Sequence, residues 1–316
     1  MGDRMKAARW FGLVCLLLFA LPAWAGTYVV TIAGLGGEPD YEQRFEGNAK
    51  DIERVFKSAG SQVHAITLYG ADGTKDKLTS ALQQVASEAK ADDDFVLIMI
   101  GHGSFDGFEY KFNLVGPDIS ADDIAALCDK IPSKRQLIVN TTSASGGSLI
   151  PLERPGRAVI MATKSGTERN ATIFARYFAE ALQDPAADTN KDESISAMEA
   201  FVYAAKKTEN FYDSEQQLAT EHAQFEDTGK ADAVREASPQ TGEGLLLSSI
   251  TLVRLGTDQA AANDPAKQAL LAQKESLEQK IDELKYQKAA MAANDYKQQL
   301  TGYLVELAKV QEQLDK

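Results

Sequence analysis

One stretch of the chain is apolar at every position, and this limits the kinds of fold that the chain can adopt. This run, FVLIMIG (95–101), has no polar residue before its closing glycine. A strand with one face in water would alternate apolar and polar residues, so an unbroken apolar run indicates a central strand buried on both faces. Such strands occur in parallel sheets that helices cover on both sides. The sequence therefore predicts an α/β protein.

Strand-like and helix-like segments alternate around this run. The further predicted strands are TYVVTIAGLGG (27–37), which ends in a glycine turn, QVHAITLYG (62–70), QLIVNTT (136–142), RAVIMAT (157–163) and a last one, LLLSSITLVRL (245–255). Amphipathic patterns over 42–58 and 76–90 predict helices between the early strands. In a sheet of this kind, ligand sites collect at the carboxyl ends of the strands.

The N-terminus has the features of a secretory signal. Three basic residues precede an apolar run from Phe11 to Leu21, and Ala23-Trp24-Ala25 offers small residues for cleavage after Ala25. The run is shorter than the roughly 20 apolar residues that span a bilayer. We therefore expect residues 1–25 to be a signal peptide, and the mature chain to be periplasmic or secreted, with no membrane span.

The charge and cysteine content exclude some functions. The net charge is −13, and removal of residues 1–25 takes away three basic residues and one acidic residue, which leaves −15. An acidic balance of this size disfavours binding to nucleic acid. Cys128 is the one cysteine outside the signal segment, so no intramolecular disulfide is expected. Its place on the apolar stripe of a predicted helix indicates a buried core residue.

The C-terminal region predicts a separate helical element. Residues 256–265 form a predicted linker between an α/β domain (26–255) and a helical arm (266–316). Apolar residues recur in the arm at helical spacings, and the stripe is interrupted at 292–295, which favours a helical hairpin over one long coiled-coil helix. The arm either recruits a protein partner, mediates self-association or folds onto its own domain. We expect no required cofactor.

Two predicted strands end in residues that are able to take part in catalysis. The apolar strand runs into GHGSFDG (101–107), with His102 between two glycines, and the next core strand ends in NTTSASGG (140–147). Neighbouring strands lie roughly 5 Å apart, so their loops can bring His102 near Ser143. Backbone amides at Gly103 and in the second loop can stabilise an oxyanion. The pair predicts a site of the acyl-transfer type.

These motifs resemble the legumain–caspase–gingipain cysteine peptidases, and look closest to the bacterial legumain-like branch. In that family, a strand ends in His-Gly and a later strand ends in Cys-x-Ser-Gly. The resemblance implies a caspase-like three-layer α/β/α sandwich with a mainly parallel sheet, and a peptide or protein ligand. It puts His102 at the catalytic histidine and Gly103 at the oxyanion-hole glycine, with Ser145 and Gly146 at the Ser-Gly.

A third segment, ATKSGTERN (162–170), resembles the part of the family that borders the substrate pocket. The resemblance therefore implies substrate-binding roles for Thr163, Ser165 and Glu168, in addition to Ser145 and Gly146.

The chain departs from the family at the nucleophile, where Ser143 replaces cysteine. A serine hydroxyl needs a positioned base before it can attack. Two hypotheses follow: a weakly active Ser-His peptidase, and a non-catalytic protein that binds peptide in the same cleft.

A serine-dependent esterase is a further alternative, since His222 follows Ser143 in the order of an α/β-hydrolase. The G-x-S-x-G nucleophile elbow is, however, absent around Ser143 and Ser145. We expect His222 to be a capping or packing residue, and His64 to be structural.

Residues 188–199, DTNKDESISAME, resemble an EF-hand calcium loop. The candidate Ca²⁺ ligands are Asp188, Asn190, Asp192, Ser194, Ser196 and Glu199, at positions 1, 3, 5, 7, 9 and 12 of such a loop. Position 6 holds Glu193 where the loop's sharp turn favours glycine. The alternative is a helix-capping turn in which Ser196 and Glu199 begin a helix.

Overall fold

The computed structural model describes residues 25–60 and 62–316. Apart from Ala25, the predicted signal segment lies outside these residues. Within the described residues, no helix is both long enough and apolar enough to cross a membrane.

Strands and helices follow one another along the chain. The strands are β1 (Thr27–Ala33), β2 (Val63–Leu68), β3 (Asp94–Ile100), β4 (Gly103–Phe105), β5 (Tyr110–Phe112), β6 (Ile119–Ser120), β7 (Arg135–Asn140), β8 (Arg157–Met161), β9 (Ser194–Ser196), β10 (Gln224–Glu226) and β11 (Thr251–Arg254). The α-helices are α1 (Pro39–Ser58), α2 (Lys75–Glu88), α3 (Ala121–Cys128), α4 (Leu149–Leu152), α5 (Phe174–Ala181), α6 (Ala197–Ser214), α7 (Leu245–Ser249), α8 (Gly256–Ala262), α9 (Gln268–Gln287) and α10 (Ala293–Leu314). Short 3₁₀ helices cover Gly70–Asp72, Ser145–Ser148, Pro185–Ala187 and Lys288–Ala290.

The central sheet has the strand order β10-β8-β7-β3-β1-β2. Strands β2, β1, β3, β7 and β8 pair in parallel, and β10 joins the edge in the antiparallel direction. Strand β3 lies between β1 and β7, and every one of its residues is buried. The uniformly apolar run at 95–101 is thus a central strand, as predicted.

Helices cover both faces of the sheet. Alternate β3 residues such as Val96 and Ile98 pack against α1, α5 and α6 on one face. Their neighbours Leu97 and Met99 pack against α2 and α3 on the other face, where Cys128 is also fully buried. The predicted three-layer α/β/α fold is therefore confirmed, and Cys128 is the core residue that its apolar stripe indicated.

The prediction of one strand over 245–255 was wrong in its first half. Residues Leu245–Ser249 form α7, and only Thr251–Arg254 form a strand, which pairs with β9 outside the central sheet. The buried Asp227 carboxylate accepts hydrogen bonds from the main-chain N–H groups of Gly244 (2.9 Å) and Leu247 (3.2 Å). A carboxylate at a helix N-terminus stabilises that helix. Because Asp227 lies outside the segment 245–255, the local sequence pattern did not indicate this helix.

The C-terminal residues form the predicted helical hairpin. Helix α9 and helix α10 are antiparallel. At the open end of the hairpin, the Lys267 ammonium before α9 donates to the carbonyl of Leu314, the last residue of α10 (2.6 Å). The expected linker contains helix α8, whose Ala261 and Ala262 pack into a small core with Leu271 and the hairpin.

Helix α9 is bound to the α/β domain by polar contacts. The Lys274 ammonium, 4% exposed, donates to the Asp192 carbonyl of the domain (2.7 Å) and to the Asp258 carboxylate on α8 (2.6 Å). Further along, the Tyr286 hydroxyl donates to the Glu243 carbonyl (2.9 Å). The hairpin therefore folds onto its own domain through α9.

Glu278 is a poorly neutralised carboxylate at this contact. Burial raises the pKa of Glu278 to about 8; Lys274, 3.8 Å away, opposes the rise, and the Asp192 and Asp258 carboxylates add to it. An acid whose pKa is higher folded than unfolded binds more protons in the folded state. The stability that comes from its neutral form is present at low pH and is lost as the pH rises from about 4.5 to about 8.

Replacing Glu278 by Gln should remove this loss. We expect Glu278→Gln to unfold at nearly the wild-type denaturant midpoint at pH 4.5, and to be more stable by on the order of 1 kcal/mol at pH 8.5. Chemical denaturation across this pH range measures the effect. Glu283→Gln is the matched control, because Glu283 is exposed on the same helix. Equal pH profiles for Glu278→Gln and wild type would contradict the assignment.

Candidate functional site

The loops after β3 and β7 meet at the carboxyl end of the sheet. The two strands pair in parallel up to Met99 opposite Asn140, and the chain then continues on each side into the loops that carry Gly103 and Ser143. The main-chain N–H of Gly103 donates to Ser143 Oγ at 3.1 Å, and Ser143 Oγ donates to the Gly103 carbonyl at 3.1 Å. The structure thus brings these two predicted site residues into direct contact.

The contact depends on the absence of a side chain at position 103. A Cβ on Gly103 would lie 2.5 Å from the Ser143 carbonyl oxygen and 2.7 Å from Thr142 Oγ1, closer than atoms can pack. Ser143 itself is only 2% exposed. Its hydroxyl is therefore enclosed between the loops, with both its donor and its acceptor capacity in use.

His102 is half-buried against an aromatic pair. Its ring packs edge-on against Tyr41 (4.8 Å between ring centroids) and Phe45 (5.0 Å), both on α1. Burial lowers the pKa of His102, a hydrogen bond with the Gly36 main chain opposes this, and the nearby Arg44 guanidinium lowers the pKa further. The imidazole is therefore neutral at pH 7. Among the hydrogen bonds of the described residues, none joins this ring to Ser143.

Helix α1 contributes to the site in a way that sequence reasoning missed. Besides Tyr41 and Phe45, it carries Arg44, whose guanidinium lies 4.8 Å from the Tyr41 ring centroid. The Arg44 Nη2 atom is buried and has no hydrogen-bond partner among the described residues. The amphipathic pattern predicted that this helix packs on the sheet, but no local motif marks the residues that face His102.

Ser145, Gly146 and Thr163 hold two loops together. The Thr163 N–H donates to Ser145 Oγ (3.0 Å), and the Gly146 N–H donates to Thr163 Oγ1 (2.9 Å). The side chains of Ser145 and Thr163 are fully buried. Their hydrogen bonds fix the path of the loop that carries Ser143, and their substrate-binding roles stay a prediction.

Glu168, in the segment 162–170, forms several of the hydrogen bonds that hold this loop. One of its carboxylate oxygens accepts from the Lys164 N–H (2.9 Å), and the other lies 2.5 Å from His222 Nδ1. Its carbonyl accepts from the N–H of Ala144, the residue after Ser143 (2.7 Å). Ser165 lies on the same loop, where its hydroxyl bonds the Thr167 hydroxyl (2.7 Å).

His222 has a chemical partner that its sequence context does not indicate. It pairs with Glu168, which lies 54 residues earlier in the chain, and so it belongs to the loop cluster around Ser143. His64 lies elsewhere, stacked on the Tyr28 ring with the ring centroids 4.7 Å apart.

The loop over 188–199 contains the helix-capping arrangement. Ser196 and Glu199 form a capping box at the start of α6, and the other Glu199 oxygen accepts from the Thr189 N–H (2.9 Å). Asp188 Oδ1 accepts from the Lys191 N–H (2.7 Å), and Asp192 Oδ1 accepts from the N–H and hydroxyl of Ser194. A cation in this loop would have to displace several of these hydrogen bonds.

Glu193 occupies the position where an EF-hand loop has glycine, and it adopts the left-handed conformation required there (φ +67°). Its carboxylate accepts from the Thr257 N–H (2.8 Å) at the start of α8, which stabilises this conformation. Within the described residues, no group of three or more His, Cys, Asp or Glu side chains is arranged to hold a metal ion. Calcium binding through Asp188, Asn190, Asp192 and the serine oxygens stays a prediction.

Comparison with known proteins gives a likeness of fold only. No protein-family model and no curated protein matches the chain. Among solved structures, the Drosophila initiator caspase Dronc is 12% identical at a TM-score of 0.43, over 66% of this chain and 81% of that chain. A protein from Geobacter sulfurreducens is 12% identical at a TM-score of 0.43 (66% and 95% covered), and caspase-1 from Spodoptera frugiperda is 13% identical at 0.44 (64% and 86%). At these values the likeness carries no functional argument.

Calcium binding to the loop can be measured directly. If the loop binds Ca²⁺, titration calorimetry of the wild type should give a saturable heat, and Asp188→Ala should abolish it because Asp188 holds the first ligand position. Asp232→Ala, which removes an exposed carboxylate elsewhere, should leave the heat unchanged. A wild type that gives no heat, or an Asp188→Ala variant that binds equally well, would contradict the prediction.

Proposed function

We propose that the chain is an exported protein that binds a peptide or protein segment at the carboxyl end of its sheet without cutting it. The ligand surface lies around His102, Gly103 and Ser143. The observation that carries the proposal is the closed contact between Gly103 and the Ser143 hydroxyl, with each hydrogen bond at 3.1 Å.

This contact removes two requirements of hydrolysis at once. A serine attacks only when a base takes its proton, but the Ser143 proton is directed at the Gly103 carbonyl, not at an imidazole. An oxyanion needs free N–H donors aimed at the reacting oxygen, but the Gly103 N–H is already bound to Ser143 Oγ. The nucleophile and the oxyanion donor thus satisfy each other.

Exposed apolar side chains at the same end of the sheet support a binding role. Leu35 (43% exposed) follows β1, and Phe108 (97% exposed) lies in the turn between β4 and β5. Leu218 (92% exposed) precedes β10, which begins opposite the carboxyl end of β8 because the two are antiparallel. A contiguous exposed apolar patch is typical of an interaction site, and the proposal is that these three side chains contribute to one.

The second candidate function is a weakly active Ser-His peptidase. Its support is the neutral His102 imidazole, which burial keeps able to accept a proton. Turnover would require Ser143 to leave Gly103 and turn towards His102. That rotation would release the Gly103 N–H for an oxyanion.

The N-terminal segment and the C-terminal hairpin support export and a protein partner. Export rests on the basic, apolar and small-residue segments within residues 1–25. The C-terminal hairpin uses α9 to bind its own domain, whereas α10 leaves Leu304 and Val305 half exposed on its outer surface. We propose this surface of α10 as the place where the arm would contact a protein partner.

Peptide cleavage should be absent from the wild type. We expect the mature protein (26–316) and Ser143→Ala to leave a mixed peptide library intact, as followed by mass spectrometry, because the serine proton has no base. Ser143→Cys tests whether the rest of the machinery works, since a thiol ionises near pH 8.5 and needs less activation. Cleavage by the wild type that disappears in Ser143→Ala would instead establish the peptidase.

Peptide binding should depend on Phe108. Peptides selected from a display library on the wild type should bind Phe108→Ser about tenfold more weakly, because a phenyl ring no longer becomes buried on binding. Fluorescence anisotropy with labelled peptides gives the dissociation constants. The control is Val202→Ser, which removes an exposed apolar side chain from helix α6. Equal loss in both variants, or no selected peptide, would contradict a ligand surface at Phe108.

A further inference from the structure

Gly26, the residue after the predicted cleavage site, is held between two strands of the sheet. Its carbonyl accepts from the Asp94 N–H at the start of β3 (2.9 Å), and the N–H of the next residue, Thr27, donates to the Gln62 carbonyl before β2 (2.9 Å). Strand β1 begins at Thr27. Cleavage after Ala25 would therefore leave a single residue before a central strand.

The Asp93 carboxylate lies directly beside this residue. Its Oδ1 atom accepts from the Gly26 N–H (2.7 Å), and its Oδ2 atom accepts from the Lys90 N–H (2.7 Å). Asp93 is 6% exposed. Within the part of the chain that the structure describes, it forms no ion pair. A buried carboxylate that is bound only by neutral N–H groups has lost water without gaining a counter-charge.

The other charged groups at this end of the sheet leave Asp93 without a counter-ion. Three basic side chains on neighbouring segments are paired with other carboxylates: Arg135 with Asp94 (2.6 Å), Lys134 with Asp92 (3.0 Å) and Arg254 with Glu275 (2.6 Å). The remaining titratable groups of the elements packed here are Tyr28, His64, Glu88 and Lys90. Burial raises the pKa of Tyr28, and the Asp93 and Glu88 carboxylates raise it further, as expected beside negative charge.

Signal cleavage would supply the missing positive charge. Hydrolysis of the Ala25–Gly26 peptide bond by a signal peptidase uses one water molecule, leaves a carboxyl group on Ala25 and leaves an amino group on Gly26. That amino group takes up a proton at neutral pH, since the ordinary pKa of an α-amino group is about 8. The nitrogen that donates to Asp93 as a neutral amide before cleavage then donates as an ammonium.

The site needs no rearrangement to receive this ammonium. The Gly26 nitrogen is already at hydrogen-bond distance from Asp93 Oδ1, and Ala25, which departs, is exposed. A hydrogen bond between an ammonium and a carboxylate is about twice as strong as one between neutral groups. The same contact therefore becomes stronger when the peptide bond before Gly26 is hydrolysed.

We propose that Asp93 is a binding site for the α-ammonium group of Gly26, which signal cleavage after Ala25 creates. The ion pair holds the start of β1 against the turn before β3 and stabilises the processed chain. The source of the ammonium rests on the export part of the proposed function. Peptide binding is independent of it, because Asp93 precedes β3 whereas Gly103 follows that strand, at the opposite end of the sheet.

The pKa of the new α-amino group tests the site without any substitution. In the chain 26–316, the pKa of the Gly26 amino group should lie above its ordinary value of about 8, because the Asp93 carboxylate favours the ammonium. The control is the same chain with Gly-Ser-Gly-Ser before Gly26, whose terminal amino group should keep the ordinary pKa. The pH dependence of labelling by an amine reagent, read on the N-terminal peptide by mass spectrometry, measures both. An unchanged or lowered pKa in the chain 26–316 overturns the proposal.

The ion pair should also stabilise the chain 26–316 relative to the extended chain. At pH 7, we expect its unfolding equilibrium constant to be about five- to tenfold smaller, because a charge-assisted hydrogen bond replaces a neutral one. A group whose pKa is higher folded than unfolded loses its contribution as the pH rises, so the difference should decrease above about pH 8. Chemical denaturation across this range measures it, and equal stability at pH 7 would count against the ion pair.

Asp93→Asn separates the ion pair from the hydrogen bonds of the turn. The substitution should raise the unfolding equilibrium constant about five- to tenfold more in the chain 26–316 than in the extended chain, because only the former loses a charged partner. Asp92→Asn, which changes the exposed neighbouring carboxylate, should affect both chains equally. An equal effect of Asp93→Asn in the two chains would mean that this carboxylate serves only the turn, and would overturn the proposal.

The first residue of the exported protein tests the source of the ammonium. After export of the full chain (1–316) by a bacterial host, intact-mass measurement should give a chain that begins at Gly26. A product that begins elsewhere overturns signal cleavage as the source, even if the purified chain 26–316 shows the raised pKa. If peptide binding fails while the raised pKa is observed, the peptide-binding function is lost and the ammonium site stands.

Discussion

The parallel pairing of β3 with β7 is the constraint on which the site depends. It aligns the two central strands up to Met99 and Asn140, and it forces the loops that follow to share one end of the sheet. The apolar residues of β3 favour a central position, because a position at the edge of the sheet would expose a strand that is buried on both faces. The contact of Gly103 with Ser143 is a direct consequence of that register.

The loops at this end of the sheet satisfy several of their polar groups with one another. Thr142 bonds the Tyr110 hydroxyl (2.5 Å), Ser145 bonds Thr163, and Ser143 bonds Gly103. A site built for turnover keeps donors free for charge that develops in the transition state. Here the Gly103 N–H and the Ser143 hydroxyl are hydrogen-bonded to each other. Apolar side chains such as Phe108 and Leu218 remain exposed around these loops.

Sequence patterns predicted the fold more fully than the site. The central strand, the two helix layers, buried Cys128 and the C-terminal hairpin all follow from hydrophobic periodicity, which is a local property. The strand expected over 245–255 failed because a distant carboxylate, Asp227, stabilises a helix there. At the site, motif spacing identified Gly103 and Ser143, but it indicated neither the α1 residues around His102 nor the partnership of Glu168 with His222.

By itself, the sequence determined which segments are buried, in what order they follow, and which two loops leave adjacent strands. Those properties depend on side-chain polarity and periodicity, which are local features of the sequence. The tertiary structure alone decided that the Ser143 proton is directed at a carbonyl and that Glu168 and His222 meet across 54 residues. These are matters of direction and distance between remote groups, which become defined only when the layers pack.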